Sequence, residues 1–254
     1  MIKVKDLRKS FEDLEVLKGV NTEFEKGKTN LIIGQSGSGK TVFLKCLLGL
    51  FVPDSGIIEY NGRAYQNFSK SEKREISKQM GMVFQGGALF DSMTVEENVM
   101  FPLKMLSNMS KQEMKDRVEE VLDRVNLVDT NDKLPSEISG GMQKRVSIAR
   151  AIVNKPKFLF CDEPNSGLDP RTASVIDNLI LEITHENEIT TVVNTHDMNS
   201  VFEIGEKIIY LENGVKAWEG TKDNIYKTDN KKLTDFVYAS DLFQKVRVAQ
   251  QKGL

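Results

Sequence analysis

Cysteine is scarce in this chain: Cys46 and Cys161 are the only two among 254 residues. Both lie in apolar runs, "FLKCLLGL" and "KFLFCDE". Each reads as a small buried hydrophobe rather than a metal ligand or half of a disulfide, which points to a reducing, cytoplasmic setting. No run approaches the ~18 uninterrupted apolar residues of a membrane span, so action at a membrane requires a partner that crosses it. The opening "MIKVKDLRKSF" puts charges where a signal peptide needs an apolar core. Positive charge is not in excess either. The formal net charge is -2, which leaves no electrostatic reason to expect a nucleic-acid partner. Internal repeats and low-complexity linkers are missing as well. What is there is an ordinary globular composition, 28% charged and 39% hydrophobic. The length suffices to bury a sizeable core, as one α/β domain or as a core with a subdomain.

Strand-like runs and turns alternate at first: "MIKVKDL", "VLKGVNTEFEKG" and "KTNLIIG". The apolar "NLIIG" ends in glycine and gives way to a helical pattern, "KTVFLKCLLGL", the order expected of a buried strand, tight loop and helix. After "QMGMVFQ" the character changes. From about residue 86 to about residue 140 strand signals are sparse, and "SKQE" announces a helix in which Ser110 and Glu113 can form a capping box. Met114, Val118, Val121, Leu122 and Val125 then recur at helical spacing. This stretch reads as a helical subdomain inserted into an α/β core. Strands resume at "KFLFCDE" and "ITTVVNTHD", separated by a helix through "TASVIDNLILEITHE". In "KIIYLENGVKAWEG" the asparagine–glycine pair marks a hairpin. The expected division is residues 1–228 as the main domain and 229–254 as a charged, helical C-terminal tail.

"GQSGSGKT", Gly34 to Thr41, fits the phosphate-loop pattern GxxxxGK[ST] without deviation. Gly34, Gly37 and Gly39 allow the backbone angles that turn successive N–H groups of Gln35, Ser36 and Ser38 inward as an anion nest. The helix that follows adds its positive N-terminal end. Lys40 supplies a mobile cation to the β- and γ-phosphates of a nucleotide, and the Thr41 hydroxyl is a ligand for Mg²⁺. A glycine-rich turn with an incidental lysine is the ordinary alternative; the strand and helix on either side favour nucleotide binding.

"FLFCDEP" sets Asp162 and Glu163 directly after four apolar residues. A strand so apolar is buried on both faces, and α/β sheets bind ligands at its carboxyl end. Asp162 there orients Mg²⁺ through its water shell, and Glu163 polarises an attacking water. A solvated acidic pair is the plain alternative. His196 follows the apolar "ITTVVNT", where a neutral imidazole can hydrogen-bond a γ-phosphate. His185, in "EITHENE", reads as a solvated histidine near a helix end. Gln85 closes "MGMVFQ" with a side chain able to reach both Mg²⁺ and a water. Taken alone it is an ordinary polar residue at a strand end.

Together these elements resemble the ATPase subunit of an ABC transporter over roughly Met1 to Gly220. The motifs are the Walker A "GQSGSGKT", Gln85 of the Q-loop, the signature "ISGGMQ", the Walker B "FLFCDE", the D-loop "SGLD" with Asp169, and the H-loop "NTHD". The resemblance implies a P-loop NTPase core with an antiparallel β subdomain and a helical subdomain, binding ATP and Mg²⁺. It places Phe11 in the adenine-stacking position, with Val16 beside it. It also implies a homodimer in which Ser139, Gly140 and Gly141 face the ATP held by the second copy, because the helix through "MQKRVSIARA" presents N–H groups and a positive dipole end. The signature departs from the common "LSGGQ" at Ile138 and Met142. Within the family, "FQGGALFDSMTVEENVMFPLKM" and "SGGM" are similar to the ATPases of Mla/MCE-type lipid transport. That likeness implies a membrane permease, an MCE-domain lipid-binding protein, phospholipid movement between inner and outer membranes, and a place on the cytoplasmic face of a bacterial inner membrane. The "NSGLD" segment is closer to importer ATPases. The alternatives are the ATPase of a solute importer or of lipoprotein release, and a soluble ABC ATPase serving iron–sulfur assembly.

Overall fold

The computed structural model describes residues 1–239 and 243–245. The chain opens with two long antiparallel strands, β1 (Ile2–Phe11) and β2 (Leu14–Phe24). The buried strand β3 (Thr29–Ile33) leads through a glycine loop into α1 (Lys40–Leu47). Next come β4 (Ser55–Tyr60), β5 (Arg63–Ala64), α2 (Lys70–Lys78) and β6 (Met80–Val83). Three helices follow with no strand among them: α3 (Val95–Leu106), α4 (Lys111–Arg124) and α5 (Gly140–Ile152). The chain then alternates through β7 (Phe158–Asp162), α6 (Pro170–Glu186), β8 (Thr190–Thr195), α7 (Met198–Ile204) and β9 (Lys207–Glu212). It finishes with β10 (Val215–Gly220), α8 (Lys222–Ile225) and α9 (Lys231–Val237).

These strands make two sheets. The larger has the order β10-β9-β3-β8-β7-β6, and all its neighbours are parallel except the β9–β10 hairpin. Every position of β3, β7 and β8 is buried, as a parallel strand covered on both faces requires. Because side chains alternate across a strand, Leu31 and Ile33 join the cluster with α3 to α7, while Ile32 joins the cluster with α1 and the smaller sheet. That smaller sheet is antiparallel, in the order β2-β1-β4-β5. Each fully buried leucine, isoleucine or phenylalanine at these positions contributes about 1.5–3 kcal/mol of transfer free energy. The register Ile33↔Thr195 and Asp162↔Asn194 aligns the carboxyl ends of β3, β7 and β8 at one rim. An open α/β sheet places its ligands there.

The α4 stripe behaves as its spacing predicts: Val118, Val121, Leu122 and Val125 are buried, Met114 packs against them, and the Ser110–Glu113 capping box forms. The sequence reading passes over β4, β5 and α2, although their signals are present. Asn61–Gly62 turns the β4–β5 hairpin with φ of 50° and 81°, as Asn213–Gly214 turns the β9–β10 hairpin with 47° and 84°. A Ser69–Glu72 capping box opens α2. In the C-terminal stretch, α9 buries Leu233 and Val237; of the helical tail expected over 229–254, residues 240–242 and 246–254 lie outside the described residues.

Candidate functional site

The loop from Gly34 to Gly39 spans the step from β3 to α1. A Cβ on Gly34 would collide with the backbone carbonyl of Leu211, and Gly39 takes φ 102° with Val16 and Leu17 about it. The β9–β10 turn braces the loop from below, where Gly214 N–H donates to the Ser38 carbonyl at 3.1 Å. Lys40 is buried, and its ammonium donates to the carbonyls of Gly34 at 2.8 Å and Gln35 at 3.2 Å. Burial lowers the Lys40 pKa, while the carboxylates of Glu163 and Asp162 oppose that shift. The Ser38 hydroxyl is buried in the same loop without a hydrogen-bond partner.

Asp162 ends β7 against this loop. Its Oδ1 accepts from the Thr41 hydroxyl at 3.3 Å and from Asn194 Nδ2 at 3.1 Å. Glu163 takes φ 49°, a left-handed turn that a β-strand cannot continue, and its N–H donates to the Asn194 carbonyl at 3.0 Å. The bend swings the carboxylate to the cleft, where Oε2 lies 2.8 Å from Nδ1 of His196. His196 is thus set beside Glu163, and its imidazole remains largely exposed. Gln85 Nε2 reaches Ser166 Oγ at 3.5 Å. A cleft of about 550 Å³ brings Lys40, Thr41, Gln85, Glu163 and His196 together with Gln35, Ser36, Gly37, Gly39 and Val16. Thr41, Asp162 and Gln85 give it oxygen donors of the kind Mg²⁺ prefers, so the residues fit that ion.

Other expected residues lie apart. Phe11 is not part of the cleft wall; its ring packs edge-on against Phe51 at 5.2 Å, with the Lys9 ammonium 5.3 Å from its centroid. The aromatic that does line the cleft is Phe236 on α9, stacked on Tyr210 at 5.4 Å. Ser139 caps α5 by accepting from the Met142 N–H at 3.3 Å, so Gly140 and Gly141 open that helix away from the cleft. Asp169 caps α6, accepting from the N–H groups of Arg171 and Thr172, both at 3.0 Å. The Thr172 hydrogen bond is the largest cause of its lowered pKa. His185 pairs with Glu206 at 3.1 Å near the end of α6, a more specific contact than the solvated position expected of it.

Three contributors escape the sequence reading. Asn194 is visible there only as a polar residue in an otherwise apolar strand. Lys144, buried on α5, donates to the Gln85 carbonyl, and burial lowers its pKa. Arg150, further along α5, donates to the carbonyls of Gly87 at 2.7 Å and Ala88 at 2.8 Å.

The decisive comparison is with a family model described as ABC transporter, which matches residues 17–166. The chain belongs to the ABC transporter family, as an ATP-binding subunit. Its likeness to the L-cystine import ATP-binding protein TcyC of Bacillus subtilis is 36% identity over 238 residues, 92% of this chain and 96% of that one. With the methionine import ATP-binding protein MetN 4 of Oceanobacillus iheyensis it is 39% over 228 residues, 88% of this chain and 66% of the relative. The chain therefore spans about two thirds of that relative's length. A solved dimer of the ABC transporter cassette MJ0796 superposes with a TM-score of 0.79 at 34% identity, covering 87% of this chain and 98% of that chain. The same cassette is known in a post-hydrolysis dimer bound to ADP and Pi. The fold is that of an ABC ATPase, and the enzyme class is ATP hydrolase. The named relatives are importers of methionine and cystine, so the expectation of lipid transport with an MCE-domain partner finds no support in them. Among the described residues no helix is long and apolar enough to cross a membrane.

Proposed function

We propose that this chain is the ATP-hydrolysing subunit of an ABC importer for small solutes, with amino acids as the favoured class, and that it works from the cytoplasmic face of a membrane beside a permease. One observation carries the catalytic part: a single cleft holds Lys40, Thr41, Glu163 and His196, with Asp162 hydrogen-bonded to Thr41, at the carboxyl rim of three aligned strands. The relatives' import names support the cargo class.

In this reading Lys40 exchanges its loop carbonyls for the β- and γ-phosphates, and the N-terminus of α1 adds its dipole. Thr41, Asp162 and Gln85 would hold Mg²⁺, directly or through water, and the ion would supply positive charge to the phosphates. Asn194 fixes Asp162 for that task. Glu163 accepts a hydrogen bond from the attacking water, and His196, donating from Nδ1, keeps the carboxylate aimed. Val16 lies against the nucleotide, and Phe11, exposed beside Phe51, offers its ring to the adenine. Ser139, Gly140, Gly141 and Asp169 serve the second copy's ATP. Residues 1–228 form the ATPase unit, with its helical part at about 86–140.

Glu163→Gln tests the catalytic assignment. Turnover falls by roughly 10²–10⁴-fold, the range for a positioned base, with ATP binding retained in a fluorescent-nucleotide titration. Unchanged turnover removes Glu163 from the role.

A second reading, lipid transport of the Mla/MCE type, rests on residues 85–103. In that segment Leu89 packs on the core while Phe90 stays exposed against Phe101, 4.9 Å between centroids. We propose the segment as the permease contact in either case. Phe90→Asp separates docking from folding: the variant folds, binds ATP and loses its co-purifying permease. Retention of the permease by a folded variant contradicts this. Identification of the co-purified permease, with amino acid or lipid bound, decides between the two cargoes.

A further inference from the structure

Asp177 sits where α6 faces the core, in the same stripe as Ala173, Ile176, Ile180 and Ile183, and is 1% exposed. Aliphatic residues and Thr184 fill the rest of that stripe, and a charge there without a cation is costly. The charged groups that raise its pKa are Glu203 and Asp197 at α7; Asp177 also acts on the Cys161 thiol of β7, on which the buried Lys144 ammonium of α5 acts in the opposite sense. Its neighbours are the side chains of Ser200 on α7 and Asn165, just after the acidic pair. Asn165 Nδ2 donates to Ser200 Oγ at 3.1 Å.

Asp177 is buried with an acceptor oxygen that no donor reaches. The hydrogen bond from Asn165 Nδ2 to Ser200 Oγ holds the two neighbours together, and both side chains bear on the Asp177 carboxyl. Two buried acceptors are left without partners, Asp177 Oδ1 and Asn165 Oδ1. A carboxylic acid, unlike a carboxylate, brings one further donor to the same cluster. Burial is the largest influence and favours the acid, raising the Asp177 pKa to about 6 against the hydrogen bonds of Ser200 and Asn165, which lower it.

We propose that Asp177, Asn165 and Ser200 form a proton-operated latch that positions the loop from Asn165 to Asp169. With a proton on Asp177 the latch is closed; its loss leaves a buried anion and loosens the loop. The consequence reaches the cleft through two covalent connections. Asn165 lies two residues after Glu163, and Ser200 lies in the helix that starts directly after His196 and Asp197. Ser166, next to Asn165, is the hydroxyl that Gln85 contacts. Asp177 is a positioning residue and touches no substrate.

The test compares the full-length parent with Asp177→Asn, whose amide supplies a donor at every pH. Other titrating groups are common to both proteins, so the ratio of their kcat values isolates the latch. That ratio climbs about threefold between pH 5.5 and pH 8, the size of effect such networks carry, while KM stays level. Hydrogen exchange of the amides at 166–169, again as a ratio to the Asn variant, shows the same step without needing turnover. Asn165→Ala, compared directly with the parent, removes the exchange step from the loop while Asp177 still titrates, and this comparison stands if Asp177→Asn folds poorly. A flat kcat ratio, or a step that persists in Asn165→Ala, overturns the latch. The proposal rests on the ATPase reading; a parent without turnover at any pH contradicts that reading, and the exchange measurement still decides the latch.

Discussion

Lys40 and Asp177 show at residue scale how one cause, burial, has opposite consequences. Both are buried ionisable groups whose charged form is penalised. Lys40 has the carboxylates of Glu163 and Asp162 to offset the penalty; the charged groups acting on Asp177 are acids that add to it. The linkage sign for Asp177 follows. Its pKa in the folded protein is raised to about 6, so the folded state binds the proton more tightly than the unfolded chain. The stability it contributes is full below the unfolded carboxyl pKa, near 4, and is lost as pH rises through about 6. Asp177→Asn removes that dependence. The variant gains about 3 kcal/mol on the parent above neutral pH, and little at pH 4, because each tenfold difference in proton affinity is worth about 1.4 kcal/mol. Thermal unfolding of the two proteins at pH 4.5 and 7.5 measures it. Equal Tm differences at both pH values contradict the raised pKa.

At the scale of elements, α5 does more than display a signature. Its first turn carries Ser139, Gly140 and Gly141, and two cations further along, Lys144 and Arg150, grip the backbone of the segment after β6. That segment includes Ala88 at φ 49°, a conformation disfavoured for a residue with a Cβ, so something must hold it. The Arg150 guanidinium supplies two hydrogen bonds to adjacent carbonyls. Removing them in Arg150→Ala costs about 2 kcal/mol, given 1.5–3 kcal/mol for bonds to a charged group. Amide exchange at 86–91 quickens in the variant, and Arg150→Lys restores it in part only, because an ammonium lacks the planar fork. Exchange indistinguishable from the parent contradicts the grip. Elements are legible in the sequence wherever a local rule applies: the glycine loop between β3 and α1, the Ser110–Glu113 cap, the Asn213–Gly214 hairpin. The same rules apply at Asn61–Gly62 and Ser69–Glu72, where short flanking elements make the signal easy to miss. Asn194, Lys144 and Arg150 are not legible. Their roles depend on pairings across 32, 59 and 62 or more residues, which no local pattern encodes. Phe11 is placed at the nucleotide by a family pattern and not by a local rule; in the structure its ring meets Phe51 edge-on.

On the scale of the whole molecule, the two glycine-rich loops of this chain sit on different faces. Gln35, Ser36, Gly37 and Gly39 line the cleft, whereas Ser139 to Gly141 open a helix that does not border it. In the proposed reading, a second copy related as in the dimer of the similar cassette would bring the two loops to one nucleotide. Binding energy from ATP is then shared by both copies, so nucleotide and dimer stabilise each other. The direct measurement is the mass in solution of the Glu163→Gln protein with and without MgATP, by light scattering. The account predicts a monomer that doubles in mass on adding MgATP, and a Glu163→Gln, Ser139→Arg double variant that binds ATP and stays monomeric. A mass indifferent to ATP, or a dimer that tolerates Ser139→Arg, contradicts it.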